Sequence, residues 1–426
     1  MKLINSGSGK IPLISLLAIL SISLTVNLPG LAITPIMGEL QDLFPGSTRL
    51  EIQLLTVLPN LVIIPFILLS GKICTPKNQI YILTFGLVLY ALTGVAYFFA
   101  KSMIVLILLG CVLGMGCGLV APLATSLVSQ YFTGKERVRQ LGMTSAVGNF
   151  MIIIATMFVG WIAVIKWHLA FIVYMIPVIP IILMPFMTSQ FITANSQNEA
   201  PDATHPNPSN VPVSSPAPSK SVIPKRSLIS SLGGLIAPYF AITYATEVIS
   251  YYLPFTMHDY KMSSGHIGVA TSMFFLAVTV SGTLLTVFTK VLRKNTIRVS
   301  ILMCSIGLLM MGLFHDFWGY IVSIIVIGLG YGMMQPIIYD KTTVVAPTKA
   351  DATRYFSILM TANYVAISLV PFIVELMAKI FGENLKTSPN FSFYLNAGFM
   401  AILFVIAVLQ RKSFIFNVDV DTYIEK

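Results

Sequence analysis

Long apolar runs recur along the whole chain and constrain its fold more than any other feature. Hydrophobic residues make up 56% of the 426 residues and charged residues only 10%, whereas an average soluble domain has about 25% charged residues. A helix of about 20 apolar residues can cross a hydrocarbon core of about 30 Å. The runs do not alternate as membrane β-strands do. The sequence therefore predicts an all-α protein that crosses the membrane several times.

A polar segment near the middle of the chain divides these runs into two groups. It is rich in proline, serine and asparagine, so it cannot bury a core. Six spans are predicted before it and six after it. We therefore predict a six-helix lobe over residues 1–192, a disordered cytoplasmic linker over 193–228, a second six-helix lobe over 229–410 and a cytoplasmic tail over 411–426.

The distribution of lysine and arginine predicts the orientation in the membrane. If the N-terminus is cytoplasmic, most of the 26 basic residues fall in cytoplasmic segments, as the positive-inside rule requires. Both termini are therefore predicted to be cytoplasmic, in a plasma membrane. The net charge of +10 is explained by these loops, so no nucleic-acid partner is expected.

Two glycine-rich segments indicate that the second half of the chain repeats the first. Three positions recur at one constant offset, and the six residues are Gly116, Gly118, Pro122, Gly330, Gly332 and Pro336. Internal repeats of this kind are typical of transporters that bind substrate between the halves, near the membrane midplane. The glycines lie inside apolar helices and not between a strand and a helix. Close helix packing therefore explains them better than dinucleotide binding.

The sequence contains no motif of a soluble enzyme. There is no HExxH motif and no phosphate loop, and the four cysteines do not have the spacing of a metal site. We therefore expect no enzymatic activity, no cofactor and no metal ion. Without an ATP site, uphill transport would depend on an ion gradient. Coupling to protons would in turn require a titratable group inside the membrane.

Two acidic residues inside predicted spans are the candidates for this coupling. Glu247 lies about halfway along span 7, and Asp340 lies in span 10 near its cytoplasmic end. A charge at the membrane centre costs at least about 2.5–3.5 kcal/mol on insertion scales, which favours a functional role. Each has a structural alternative, because Glu247 could bond to a neighbouring helix and Asp340 to a basic residue such as Arg354. Lys341 is a candidate for gating or for contact with an anionic solute.

Several neutral polar residues in the predicted spans could line a shared substrate cavity. Each of them alone is more often a hydrogen bond between helices than a ligand contact. The set consists of Asn27, Asn60, Asn149, Tyr251, Tyr252, Gln335 and Asn363.

The layout resembles the major facilitator superfamily along nearly the whole chain. The shared features are six spans, a long linker and six more spans, with basic loops after spans 2 and 8. Two short segments, Trp167–Phe171 and Tyr131–Gly142, are similar to patterns frequent at these places in the family. The resemblance implies a two-lobed transporter that works by alternating access on a small-molecule substrate, and the fold does not require partner chains. We therefore expect a monomer.

Within that superfamily the layout is most similar to exporters of drugs and metabolites that are coupled to protons. Three positions depart from the motifs of that group. Thr75 and Pro76 replace the usual acidic residue and arginine after span 2, and Gly110 replaces the arginine of span 4. Any proton relay must therefore use other residues, for which Glu247 and Asp340 are the candidates.

Three hypotheses about function follow from these observations. The first is proton-coupled export of small amphipathic molecules, favoured by many methionines and phenylalanines and by few fixed charges in the spans. The second is import or exchange of one specific metabolite, such as an anion that contacts Lys341. The third is a sensor or assembly partner that keeps the fold without transporting anything, with the linker as its contact region.

Overall fold

The computed structural model describes residues 3–5, 10–74, 78–132, 134–186, 228–345, 349–385, 387–411 and 413–418. The predicted linker, apart from Leu228, lies outside these residues. A short antiparallel hairpin, β1 (Leu3–Asn5) and β2 (Lys10–Pro12), precedes the first helix. All other regular elements of the described chain are helical.

Helices of the first half are separated by short turns. They are α1 (Leu13–Val26), α2 (Met37–Leu43), α3 (Arg49–Ile73), α4 (Gln79–Ala96), α5 (Met103–Tyr131), α6 (Gly134–Ala163) and α7 (residues 178–186), with 3-10 turns at Thr34–Ile36, Tyr97–Phe99 and Trp167–Met175. Helix α3 begins with a capping box, in which Thr48 and Glu51 bond to each other's backbone N–H groups.

The second half repeats this order. Its helices are α8 (Leu228–Asp259), α9 (Ser264–Thr283), α10 (Leu285–Leu292), α11 (Thr296–Leu313), α12 (Phe317–Val345), α13 (Lys349–Phe381) and α14 (Phe391–Leu409), with a 3-10 turn at Arg293–Asn295. Ten spans in the described chain are long and apolar enough to cross a membrane. The shorter α1 with α2, and the 32-residue α8, complete the twelve.

The first predicted span is not one continuous helix. The apolar run predicts a span from Ile11 to Met37, but the helix ends at Val26 and resumes at Met37. Pro29 and Pro35 lack the backbone N–H that would continue the helical hydrogen bonds. Backbone groups freed inside a membrane must find other partners. Here the side chains of Tyr90, Cys117 and Tyr174 donate to the carbonyls of Thr25, Val26 and Pro29 at 3.5, 3.4 and 3.2 Å.

The repeated glycines lie where helices of the same lobe approach most closely. A Cβ atom on Gly116 would lie 2.8 Å from the Gly86 carbonyl oxygen of α4, and one on Gly118 would lie 2.7 Å from that of Ile63 in α3. The equivalent distances for Gly330 and Gly332 are 2.7 and 2.3 Å, to carbonyl oxygens of α11 and α9. Pro122 and Pro336 lie within α5 and α12. Each lobe is thus a tightly packed unit around its glycine-rich helix.

Candidate functional site between the lobes

The two lobes contact each other at one end of the bundle. We call it the loop-1 end, because it carries the loop between Leu43 and Arg49. The Arg49 side chain, 7% exposed, forms an ion pair with Asp259 of the other lobe at 2.7 Å. It also donates to the Leu385 carbonyl at 2.8 Å and to Gln41 at 2.9 Å. Its guanidinium lies 5.3 Å from the ring centre of Phe255. We call this group the Arg49 cluster.

Two further polar contacts join the lobes beside the Arg49 cluster. His258 Nε2 lies 3.2 Å from the Asp42 carboxylate. The hydroxyl of Ser264, at the start of α9, donates to Glu39. These contacts hold the last part of span 1 against the ends of α8 and α9.

A crossing of α6 and α9 brings the backbones of the two lobes together. A Cβ atom on Gly160 would lie 2.4 Å from the Ser264 carbonyl oxygen and 2.9 Å from the Cα of Gly268. One turn further in, the hydroxyls of Thr156 and Ser272 lie 3.0 Å apart. Because no side chain fits between the glycines, this crossing is a direct measure of closure at the loop-1 end.

Helices α3 and α8 form the next layer inward. Gln53 donates to the Tyr251 carbonyl across the lobes at 3.0 Å. The Tyr251 hydroxyl lies beside Thr56 and Asn60 but is buried and makes no hydrogen bond with the described residues. The Asn60 amide packs on Gly30, where span 1 is broken.

Glu247 lies one helical turn inward from Tyr251, about 18 Å along α8 from Asp259 at a rise of about 1.5 Å per residue. Its side chain is 8% exposed. Ser250 interacts with the carboxyl group, and Oε2 is buried with no hydrogen bond to any residue that the structure describes. Tyr251 and Tyr331 lie within electrostatic range of this group. Glu247 is therefore a carboxyl group without a cationic partner in the described chain, directly inside the closed layer.

A network of polar side chains in the second lobe continues from Tyr331. The hydroxyls of Tyr239 and Tyr339 lie 2.9 Å apart, and Gln335 donates to the Tyr339 hydroxyl at 2.8 Å. Thr243 donates to Asn363 at 3.2 Å. Gln335 and Asn363, both predicted cavity residues, are thus close to the helix that carries Glu247.

The remaining predicted cavity residues are distributed differently. Asn27 and Asn149 are both partly exposed, and Gly148 faces the Asn27 amide, since its Cβ position is 3.2 Å from Asn27 Nδ2. Tyr252 is directed into its own lobe, where its hydroxyl donates to the Pro371 carbonyl at 3.4 Å. Asn60 and Tyr251 are therefore in contact across the lobes, whereas Tyr252 supports the packing of α8 on α13.

Lys341 is bound to the C-terminal segment. Its ammonium group donates to the backbone carbonyls of Phe414, Ile415 and Asn417 and lies 4.7 Å from the centre of the Phe414 ring. The side chain is 5% exposed. Its neighbour Asp340 is partly exposed, and the Arg354 side chain lies outside those described. The contacts of Lys341 suit a residue that anchors the tail on α12.

The Lys341→Met variant should release the C-terminal segment. Hydrogen bonds to charged groups contribute about 1.5–3 kcal/mol each, so losing them should raise the open fraction of the tail by roughly tenfold or more. Limited proteolysis with chymotrypsin, followed by mass spectrometry, should show faster cleavage at Phe414. Lys294→Met, which removes an exposed lysine, is the control. Equal cleavage rates in both variants would contradict the anchoring role.

Sequence reasoning missed three residues that the structure places at the centre of this site. Arg49 and Asp259 lie at the ends of predicted spans, where a charge is typical of a loop. Tyr331 lies within the glycine-rich repeat, between Gly330 and Gly332, where packing explained the motif. The signal for Tyr331 was its polar hydroxyl in an otherwise small and apolar segment.

The sequence profile of the Major Facilitator Superfamily matches residues 13–254 and 235–413. The chain therefore belongs to this superfamily. It is a multi-pass membrane transporter that works by alternating access, and the predicted all-α fold with twelve helices in two lobes is confirmed. No curated protein matches the chain at the level of sequence.

Solved structures with the same fold transport several kinds of solute. A POT family transporter in complex with 5-aminolevulinic acid has a TM-score of 0.70 at 10% identity, covering 93% of this chain and 96% of its own. The xylose transporter XylE from E. coli has a TM-score of 0.66 at 12% identity, covering 95% and 96%. A mutant form of the nucleoside transporter NupG has a TM-score of 0.67 at 12% identity, covering 94% and 100%. At these identities the similarity shows the fold alone.

Proposed function

We propose that the chain is a proton-coupled secondary transporter that exports small amphipathic organic molecules. The observation that carries the proposal is Glu247, a buried carboxyl group between the lobes with an oxygen that no described residue binds. Intramembrane ionisable groups are rare and mark proton or substrate pathways. A proton that binds and leaves here would change the charge next to the closed layer of Gln53 and Tyr251.

The surroundings of Glu247 support an amphipathic substrate. Tyr251, Tyr331, Tyr339 and Gln335 offer both aromatic faces and hydrogen-bonding groups within one region of the second lobe. Pockets for organic ligands usually combine an apolar wall with a few polar groups. Among the predicted residues, Asn27, Asn60, Asn149 and Asn363 would contribute the polar groups, and Asp340 remains a second candidate for proton transfer.

The alternative of import or exchange of an anionic metabolite rested on Lys341. The ammonium group is surrounded by three backbone carbonyls and the Phe414 ring, so an anion would have to displace the tail to reach it. This arrangement favours the first proposal over the second. Export is supported by the resemblance of the layout to exporters, although one solved relative is a D-xylose–proton symporter.

The proposal includes the setting of the protein. We propose a monomer in a plasma membrane with both termini in the cytoplasm, supported by the positions of the basic residues. The lobe boundaries at 192 and 229 and the cytoplasmic tail from 411 belong to the same proposal. Substrate, protons and the surrounding lipid would be its partners.

Transport by purified protein in lipid vesicles tests the proposal. We expect the protein to move an amphipathic dye against its gradient when a pH gradient is imposed, and a protonophore to stop this movement. The same vesicles, loaded with a panel of sugars, peptides and nucleosides, test for a specific metabolite and for both directions. Movement that ignores the pH gradient would contradict proton coupling. Binding without any movement would instead support a sensor.

A further inference from the structure

We propose that the Glu247 carboxyl group binds a lipophilic monovalent organic cation in exchange for its proton. The ligand class comprises protonated amines and quaternary ammonium or phosphonium ions with apolar substituents. The inference rests on the proposed function and specifies its substrate. It assigns one carboxyl group to two occupants that exclude each other.

The charges around Glu247 favour a cation. Helix α8 packs against helices of both lobes, and the titratable groups that interact with Glu247 are the phenols of Tyr251 and Tyr331. Ion-pairing groups on the packed helices lie towards one end or the other. At the loop-1 end these are Glu39, Asp42, Arg49, Glu51, His258, Asp259, His266, Glu375 and Lys379, and at the opposite end Asp340, Lys341 and Arg298. An anionic ligand beside Glu247 would meet a carboxyl group with no described cation next to it.

Aromatic side chains supply the second part of the site. Tyr251 follows Glu247 by one helical turn on α8, and Tyr331 approaches from α12 with 8% of its surface exposed. Ring faces attract ammonium-type cations by about 0.5–2 kcal/mol, and more strongly where water is excluded. The Tyr251 hydroxyl, buried and unbonded in the described chain, can accept an N–H from a protonated amine. A carboxylate beside two phenol rings is the usual composition of a site for an organic cation.

The proton and the organic cation cannot both occupy this site. An ionised carboxylate away from water needs a compensating charge, which either one proton or one monovalent cation supplies. When the cation binds to the protonated form, the O–H bond breaks, the proton leaves to the solvent and the carboxylate pairs with the cation. The net charge of the occupied site is unchanged. Each cation bound therefore releases one proton, and each proton bound releases one cation.

Two ions of similar size and opposite charge provide the test. Binding of radiolabelled tetraphenylphosphonium to the purified full-length protein is measured by equilibrium dialysis at several pH values, with tetraphenylborate as the anionic counterpart. We expect phosphonium binding to weaken by about tenfold for each unit of pH decrease once the carboxyl group is protonated, as competition requires. In weakly buffered solution, binding should release one proton per cation. Tetraphenylborate should show neither effect.

Substitutions locate the effect at Glu247. Glu247→Gln should bind phosphonium at least about tenfold more weakly and lose both the pH dependence and the proton release. Glu375→Gln, which makes the same chemical change near the loop-1 end of α13, should behave as the wild type. Tyr331→Phe should retain binding because it keeps the ring, and Tyr331→Leu should weaken it by roughly 2- to 30-fold. Correct folding of each variant is checked by its thermal melting profile in detergent.

The outcomes separate this inference from the proposed function. Phosphonium binding that is independent of pH, or unchanged in Glu247→Gln, would overturn the inference even if vesicles show proton-driven transport of an uncharged solute. Proton release on phosphonium binding without any transport in vesicles would uphold the inference and overturn the proposed function. Equal binding of tetraphenylborate would show that the site selects apolar size and not charge, which also overturns the inference.

Discussion

Glu247→Gln should reduce proton-driven transport of an uncharged amphipathic probe to the level of protein-free vesicles. Glutamine keeps the size of the side chain and its hydrogen-bonding groups but cannot bind and release a proton. Since coupling requires a titratable group inside the membrane, the variant should lose accumulation against a gradient. Downhill flux of the same probe should continue, because the lobes can still rearrange. Vesicles with and without an imposed pH gradient measure both quantities.

The chain offers a matched control for this experiment. Glu375→Gln removes a carboxyl group from α13 near the loop-1 end, where the side chain is partly exposed, and should leave accumulation intact. If Glu247→Gln accumulates the probe as well as the wild type, Glu247 is a packing residue. The search for the coupling group would then move to Asp340. If downhill flux is lost as well, the substitution has affected the rearrangement itself and not only the coupling.

Gly160→Val should open the loop-1 end. The Cβ atom alone would lie 2.4 Å from the Ser264 carbonyl oxygen, so α6 and α9 must separate to accept the new side chain. Overpacking of this kind costs about 1–3 kcal/mol, which corresponds to a roughly 5- to 150-fold shift away from the closed arrangement. Spin labels at Leu43 and Lys261, exposed on opposite lobes, should report longer distances by pulsed electron resonance.

Two further variants make the result interpretable. Gly398→Val places the same side chain on α14 where a Cβ atom would meet nothing within 4 Å, and it should leave the distances unchanged. Arg49→Gln removes the ion pair with Asp259 and should shift the distances in the same direction as Gly160→Val. A wild-type distance distribution in Gly160→Val would mean that the crossing yields locally, and the glycines would not control closure. Labelling requires Cys74 and Cys111, the partly exposed cysteines, to be replaced by serine.

The fold was predictable because it depends on long-range averages of the sequence. Apolar length, the polar segment in the middle of the chain and the repeated glycines and prolines each specify helices and their order. The break in span 1 was harder to predict, although Pro29 and Gly30 lie at the break. Prolines occur elsewhere in continuous helices of this chain, such as Pro59 and Pro65 in α3. Whether a proline interrupts a span depends on side chains from other helices that bond to the freed carbonyls.

The site was predictable only in part, because it is built from pairs of residues far apart in the sequence. An intramembrane glutamate such as Glu247 stands out by composition alone. Arg49 and Asp259 do not, since a charge at the end of a span usually faces water. Lys341 illustrates the opposite error, because the sequence cannot show that the chain after Leu409 folds back onto it. The contacts of Lys341 with main-chain carbonyls have no sequence signature in the tail.

The close glycine packing within each lobe has a mechanical consequence. Lobes whose helices touch backbone to backbone resist bending, so a change beside Glu247 is transmitted as a rotation of a stiff body. The Arg49 cluster lies about 18 Å away along α8, and a rotation of about 10° would displace it by about 3 Å. That displacement exceeds what the 2.7 Å ion pair between Arg49 and Asp259 can tolerate. The lever arm therefore makes opening abrupt, with the ion pair either formed or lost and no stable position between.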